Sequence, residues 1–265
     1  MRRIMLGALF LSGCGFFIAP PKPSIDQPVL TPAEELGRIL SKIDDHGRYD
    51  YEVMGGHPSN VDAFAAYVAT FSPGSDPERF PTAAAKLAYW INAYNVLVLY
   101  EILDTDVRPA EQKRFYRRAK FMVGGKLKTL TDVEDEVAGM KDARAFFALC
   151  GGAKGHPKLS RAPYEPGTLE AQLDAAARDF LNDPKNVVVD KAKRVVRLSE
   201  VLERHKDVFN ERAASLLAYV NRFRTDKVPE SHKTEFLPFD WSLNGQKEEA
   251  PARQADSGGP AGRRL

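Results

Sequence analysis

From Pro81 onward the chain places Leu87, Trp90, Ile91, Tyr94, Leu97 and Val98 at helical spacing, with apolar residues almost all round the axis. A helix without a polar face is stable only where other elements cover it on every side, so this segment is expected to form the buried centre of the fold. Shorter helices supply the cover. Thr31-Pro32-Ala33-Glu34 places a capping hydroxyl, a proline at the first helical position and an acid in the first turn, which predicts a helix from 32 to 44 carrying Leu36, Ile39, Leu40 and Ile43. Ser59-Asn60-Val61-Asp62 opens another, and Thr168 to Leu181 is amphipathic through Leu169, Leu173, Ala176, Ala177 and Phe180. Ser199–Phe209 and Glu211–Phe223 complete the helical set. Strand signals are sparse: Phe121–Val123 and Lys126–Lys128 flank Gly124-Gly125, and Val187–Val189 and Arg194–Leu198 flank a polar turn, which predicts two hairpins. The fold class that follows is α+β, a single, mostly helical domain with two small antiparallel hairpins.

The ends of the chain read differently. Met1-Arg2-Arg3 precedes the apolar run Ile4–Leu11, the layout of a bacterial export signal, and Leu11-Ser12-Gly13-Cys14 resembles a lipobox that is cut before an acylated cysteine. The run is shorter than the ~20 apolar residues of a membrane span. Residues 1–13 are therefore expected to be removed and Cys14 to carry the lipid, with Gly15 in place of the Asp of an inner-membrane retention signal. That predicts an envelope protein on the outer membrane, facing the periplasm. Residues 14–30 are proline-rich and predict a semi-rigid tether reaching up to ~50 Å at about 3.1 Å per residue. Residues 31–244 form the globular domain, and 245–265, lacking aromatic and β-branched residues, a disordered tail. The 265 residues carry 38 Lys+Arg and 36 Asp+Glu, and loss of Arg2 and Arg3 leaves 36 against 36. A neutral mature chain argues against nucleic acid as partner, and places membrane attachment on acyl chains rather than on a polybasic patch.

Three places are candidates for chemistry. Asn92 and Asn95 lie one turn apart on the apolar helix, where an unpaired amide costs about 1–3 kcal/mol, so they either bind ligand or brace loops. Cys150 stands before Gly151-Gly152, with Lys154 and His156 close by, which suits either a thiolate of lowered pKa or a buried cysteine acting as a small hydrophobe. Phe236–Asn244 is aromatic-rich around Asp240, which orients a partner or simply belongs to a docking segment. Two cysteines without Cys-x-x-Cys spacing, and no His-x-x-x-His or His-Glu-x-x-His, predict no metal and no cofactor. His46, His57, His205 and His232 read as surface residues.

Tyr49-Asp50-Tyr51, Ala88–Asn95, Leu130–Asp135, Phe147–Pro157, Leu198–Val201 and Phe239–Asn244, in this order, resemble the domain-of-unknown-function 547 family (DUF547), over roughly residues 35 to 245. The resemblance implies a Cys–His site built from Asp-Ile-Glu-His and Cys-Gly/Ala-x-x-x-Cys-Pro blocks. Here the histidine position is Asp135, the first cysteine position is Gly151 with Cys150 one residue early, and the second is His156. The leading expectation is a lipid-anchored protein binding an unknown ligand or protein partner through a cleft near Asn92, Asn95, Glu134, Asp240 and Cys150–His156, without efficient catalysis. The alternative is a thiol-dependent hydrolase or transferase with Cys150 as nucleophile, His156 or Asp135 as base and Glu134 as orienter.

Overall fold

The computed structural model of the chain describes residues 16–18, 32–51, 59–105 and 107–246. The export segment, Cys14, His57 and the tail beyond Gln246 lie outside the described residues. The central helix, α3 (Ala83–Asp104), follows α1 (Pro32–Leu40) and α2 (Ser59–Thr70) in the chain. The Thr82 hydroxyl accepts from the Ala85 amide (3.0 Å) and starts the helix one residue after Pro81. From Leu87 to Ile102 all but Asn92 of its side chains are buried. α2 lies on one side of it and α5 (Leu130–Gly139) on another, while α1 covers α2. α5 was not expected as a helix; it begins with a capping box in which Thr129 accepts from the Asp132 amide (3.1 Å) and Asp132 from the Thr129 amide (2.7 Å). Between α3 and α5 come the short α4 (Gln112–Arg117), β2 (Ala119–Val123) and β3 (Lys126–Lys128).

Both predicted hairpins are present, and each gains a third strand in parallel. β1 (Phe16–Ile18) pairs with β2, with Phe16 opposite Ala119, inside the stretch read from sequence as tether. β4 (Val187–Asp190) and β5 (Val195–Leu198) form the second hairpin, and β6 (Lys233–Phe236) joins β5. Gly124 and Gly125 take positive φ (54° and 77°) at the first turn, and their amides donate to Val68 and Ala69 carbonyls, both at 2.9 Å, at the end of α2. A β-carbon on Gly124 would lie 2.1 Å from Ser72 Oγ, so the turn is docked and not merely tight.

Helix ends depart from the periodicity for local reasons. α1 stops at Leu40 because the Asp44 carboxylate takes the His46 and Arg48 amides into a turn, both at 2.9 Å. The predicted 199–209 helix divides into α7 (Glu200–Arg204) and α8 (Lys206–Asn210) at His205, whose ring stacks on Phe146 (3.8 Å). The last helix, α9 (Leu216–Phe223), begins late because Ser215 caps it, accepting from Ala218 (3.0 Å). α6 (Leu169–Asn182) closes the core through Phe180, against Phe147 (5.2 Å). Gly245 and Gln246, placed in the tail by composition, are fixed to Tyr49 through a β-bridge and a 3.1 Å hydrogen bond. Among the described residues no helix is long and apolar enough to cross a membrane.

Candidate functional site

A 3-10 turn at Ala143–Phe147 carries the chain into Cys150-Gly151-Gly152, which lies against α3. Asn95 holds it there: its Nδ2 donates to Ala148 O (3.0 Å) and its Oδ1 accepts from the Cys150 amide (2.8 Å). Asn92 makes the same two-point pair with Tyr164, donating to its carbonyl (2.8 Å) and accepting from its amide (3.0 Å). Both amides are thus engaged with backbone and brace two loops. The crevice between them has no room for a water molecule. Gly152 sits at φ +83°, where a β-carbon would come within 2.8 Å of Ile102.

The segment around Asp240 is a strap over this turn. Gly155 donates to Asp240 O (2.9 Å), Lys154 to Ser242 O (2.8 Å), and the Asn244 amide to Gly152 O (2.9 Å). The Asp240 carboxylate accepts from the Ser242 amide (2.9 Å) and hydroxyl (2.5 Å), which sets the bend of the strap. Asn244 then reaches inward, donating Nδ2 to Cys150 Sγ (3.2 Å) and accepting from the Tyr51 hydroxyl (2.6 Å).

Cys150 is 2% exposed. Burial pushes its thiol up to about 11, outweighing the Gly152 amide and Asn244, which favour the thiolate. His156 shares the turn but not the thiol's surroundings. Its ring lies over the Cα of Gly151, where a β-carbon would meet Nε2 at 2.4 Å. Phe239 (4.8 Å), Tyr116 (5.9 Å) and Trp241 (6.1 Å) surround it, and Tyr116 donates to Gly151 O (2.6 Å). Its Nδ1 is buried without a hydrogen-bond partner among the described residues. Burial, then Arg204 and His205, drive its pKa down to about 3, so the imidazole is neutral at ordinary pH. Among the described residues no hydrogen bond joins Cys150 to His156, Asp135 or Glu134, so the expected thiol–base constellation is not assembled.

Asp135 lies on α5 among Glu134, Asp132 and Glu136, and burial followed by those like charges raises its pKa. Glu134 instead meets His205 Nε2 at 3.1 Å. That pairing was missed by reading His205 as a surface residue, since the helix break that aims the ring at Phe146 leaves no periodic signal. The contributions of Tyr51, Tyr116, Asn244 and Arg204 were missed too. Arg204 lies over both Phe239 (4.5 Å) and Trp241 (4.6 Å) and pairs with Glu200 (2.6 Å), so one guanidinium holds the aromatic strap down.

Of the residues expected to act together, only His156 and Asp240 line the open cleft of about 1070 Å³ between the Asp44–Arg48 turn, α6 and the strap. Four of its six acidic residues are ion-paired: Asp44 with Arg48 (2.9 Å), Asp179 with Lys158 (3.1 Å), Asp45 with Arg161, and Glu200 with Arg204, while Asp183 accepts from the Lys185 amide (2.9 Å) and Asp240 from Ser242. Lys154 and Lys185 also line it, and their ammonium groups have no ion-pair partner among the described residues. Among those residues no group of three or more His, Cys, Asp or Glu could hold a metal ion.

No curated protein and no solved structure matches the chain. The Tyr49–Tyr51 and Phe239–Asn244 blocks lie beyond the part covered by a family match. Residues 78–181, which supply α3, α5 and the Cys150 turn, match the family described as "Protein of unknown function, DUF547".

Proposed function

We propose that the protein is anchored by an acylated Cys14 at the periplasmic face of the outer membrane, and that its domain binds a small anionic ligand in the cleft beside His156 without using Cys150 chemically. Two lysine side chains in the cleft carry this reading. Asp44, Asp45, Asp179 and Glu200 are matched by cations, Asp240 is held by Ser242 and Asp183 accepts from the Lys185 amide, whereas the Lys154 and Lys185 ammonium groups have no ion-pair partner among the described residues, so an entering carboxylate or phosphate gains charge-assisted hydrogen bonds without breaking internal ones. His156 adds a neutral imidazole at the wall and Phe239 an apolar surface, the usual mixture of a small-molecule site.

The test is ligand-observed NMR with a set of small carboxylates and phosphate monoesters, repeated on a Lys154→Glu/Lys185→Glu variant. Binders should lose at least about tenfold in affinity on the double reversal. Binding unchanged by it, or no binder in either class, refutes the cleft. Iodoacetamide tests the silent thiol. A pKa moved from 9.0 to about 11 lowers the thiolate fraction about a hundredfold below that of the unfolded chain, before occlusion adds to it. Equal rates with and without denaturant would restore the hydrolase or transferase reading.

A further inference from the structure

Between Gln112 and Lys128 the chain carries seven basic residues and no acidic one, an asymmetry hidden by a total charge of only +2. The fold gathers this segment into one unit: α4 runs into β2, and β2 turns back as β3. Lys113, Arg117, Arg118, Lys120 and Lys126 are exposed and have no ion-pair partner among the described residues. The nearby acids are engaged, Glu111 by Arg114 (3.3 Å) and Glu136 by Lys128 (2.8 Å). β2 alternates with Ala119, Phe121 and Val123 buried, leaving Lys120 and Met122 on the outer face, where Met122 is paired in register with Leu127. Leu127, 51% exposed, is the large exposed hydrophobic residue among those described.

β1 decides what this surface meets. Phe16 pairs with Ala119, directly after Arg117-Arg118, and Cys14 is two residues before Phe16. Two extended residues span at most about 7 Å, so whatever Cys14 carries leaves the domain beside the cationic hairpin.

We infer that the α4–β2–β3 unit is a membrane-docking face, on which Lys113, Arg117, Arg118, Lys120 and Lys126 contact anionic lipid headgroups while Leu127 enters the interface. The inference rests on the lipid-anchor reading for its geometry, and replaces a domain held off on a long tether with one lying against the bilayer. Cationic side chains at a bilayer act additively with an acyl anchor, and an apolar residue within the cationic ring adds interfacial burial.

The experiment separates the face from the anchor. The full mature chain with Cys14→Ser, which cannot be acylated, is sedimented with phosphatidylcholine vesicles and with vesicles also containing phosphatidylglycerol. Binding is expected only with the anionic lipid and should weaken with added salt. Arg117→Gln/Arg118→Gln should lower it about 25-fold, from roughly fivefold per lost cation, and Arg117→Glu/Arg118→Glu by more. Lys126→Glu, at the hairpin tip and away from α4, gives a second reading should the double variant fold poorly, and Leu127→Ser should weaken binding without altering its salt dependence. Equal binding to both vesicles, or charge reversal without effect, overturns the inference. Retention on heparin beads without vesicle binding also overturns it, in favour of an acidic polymer. The intact mass of the wild-type chain extracted from membranes tests the anchor by itself. An unacylated Cys14 would remove that reading while the vesicle result still judged the face.

Discussion

Replacing Glu101 by glutamine should flatten the pH dependence of stability. Glu101 sits on α3, 1% exposed, with Oε2 lacking any hydrogen-bond partner among the described residues. Burial raises its pKa from 4.5 to about 9, against a lowering by Arg114 and with a further raising by Glu111. At pH 7 the folded chain therefore holds a proton on this carboxyl that the unfolded chain has released. An acid whose folded pKa is raised stabilises fully below its unfolded value, and that contribution is lost as pH climbs from 4.5 to about 9. The loss is about 1.4 kcal/mol per pH unit, or about 3 kcal/mol by pH 7. Glutamine is neutral throughout and removes this slope. Its amide brings a donor into the same pocket at a cost of about 1–3 kcal/mol, but that offset does not vary with pH, so the slope is the diagnostic quantity. Urea unfolding of both proteins at pH 5, 6, 7 and 8 should show the variant gaining on the wild type by about 4 kcal/mol across the series. Parallel curves would refute a buried, protonated Glu101.

Asn95→Ala leaves the Ala148 carbonyl and the Cys150 amide without their partner in a buried turn and should lower unfolding stability by about 3 kcal/mol, whereas Asn92→Ala, at a part-buried pair, should cost less. Equal and negligible losses in chemical denaturation would show that the amides do not brace these loops. His156, lowered to about 3, should show imidazole NMR resonances that do not titrate between pH 5 and 8 in the folded chain. A histidine with a depressed folded pKa contributes stability that is lost as pH falls from about 6.5 towards 3, so His156→Phe should remove part of the acid sensitivity. A titration midpoint near 6.5 would sink that assignment.

Local chemistry was enough for what depends on neighbours in the chain. The all-round apolar α3, the Gly124-Gly125 turn, the amphipathic α6 and both hairpins follow from side-chain period and backbone preference, and all are found. Two amides on an apolar helix also announced that something must satisfy them. Which groups do so was not legible, because Ala148, Cys150 and Tyr164 lie 53 to 72 residues away and no periodicity reports such a distance. The two added strands were hidden for a related reason. β1 and β6 are three- and four-residue strands with no alternation long enough to read, and exist because a hairpin edge was open to pair with.

The site shows the division most sharply. Cys150 and His156 are six positions apart, and the sequence allowed a pair. Packing decided otherwise, since the His156 ring is held on Gly151 by Phe239 and Tyr116 while Asn244, arriving from the end of the domain, caps the thiol. In the same way a total charge of only +2 showed no basic surface, and only the return of β1 to β2 set the cationic hairpin beside residue 16. Composition and period are sums over neighbours, and so they determine elements. Direction, pairing and the meeting of distant side chains are set by closure of the core around α3, and only the tertiary structure contains it.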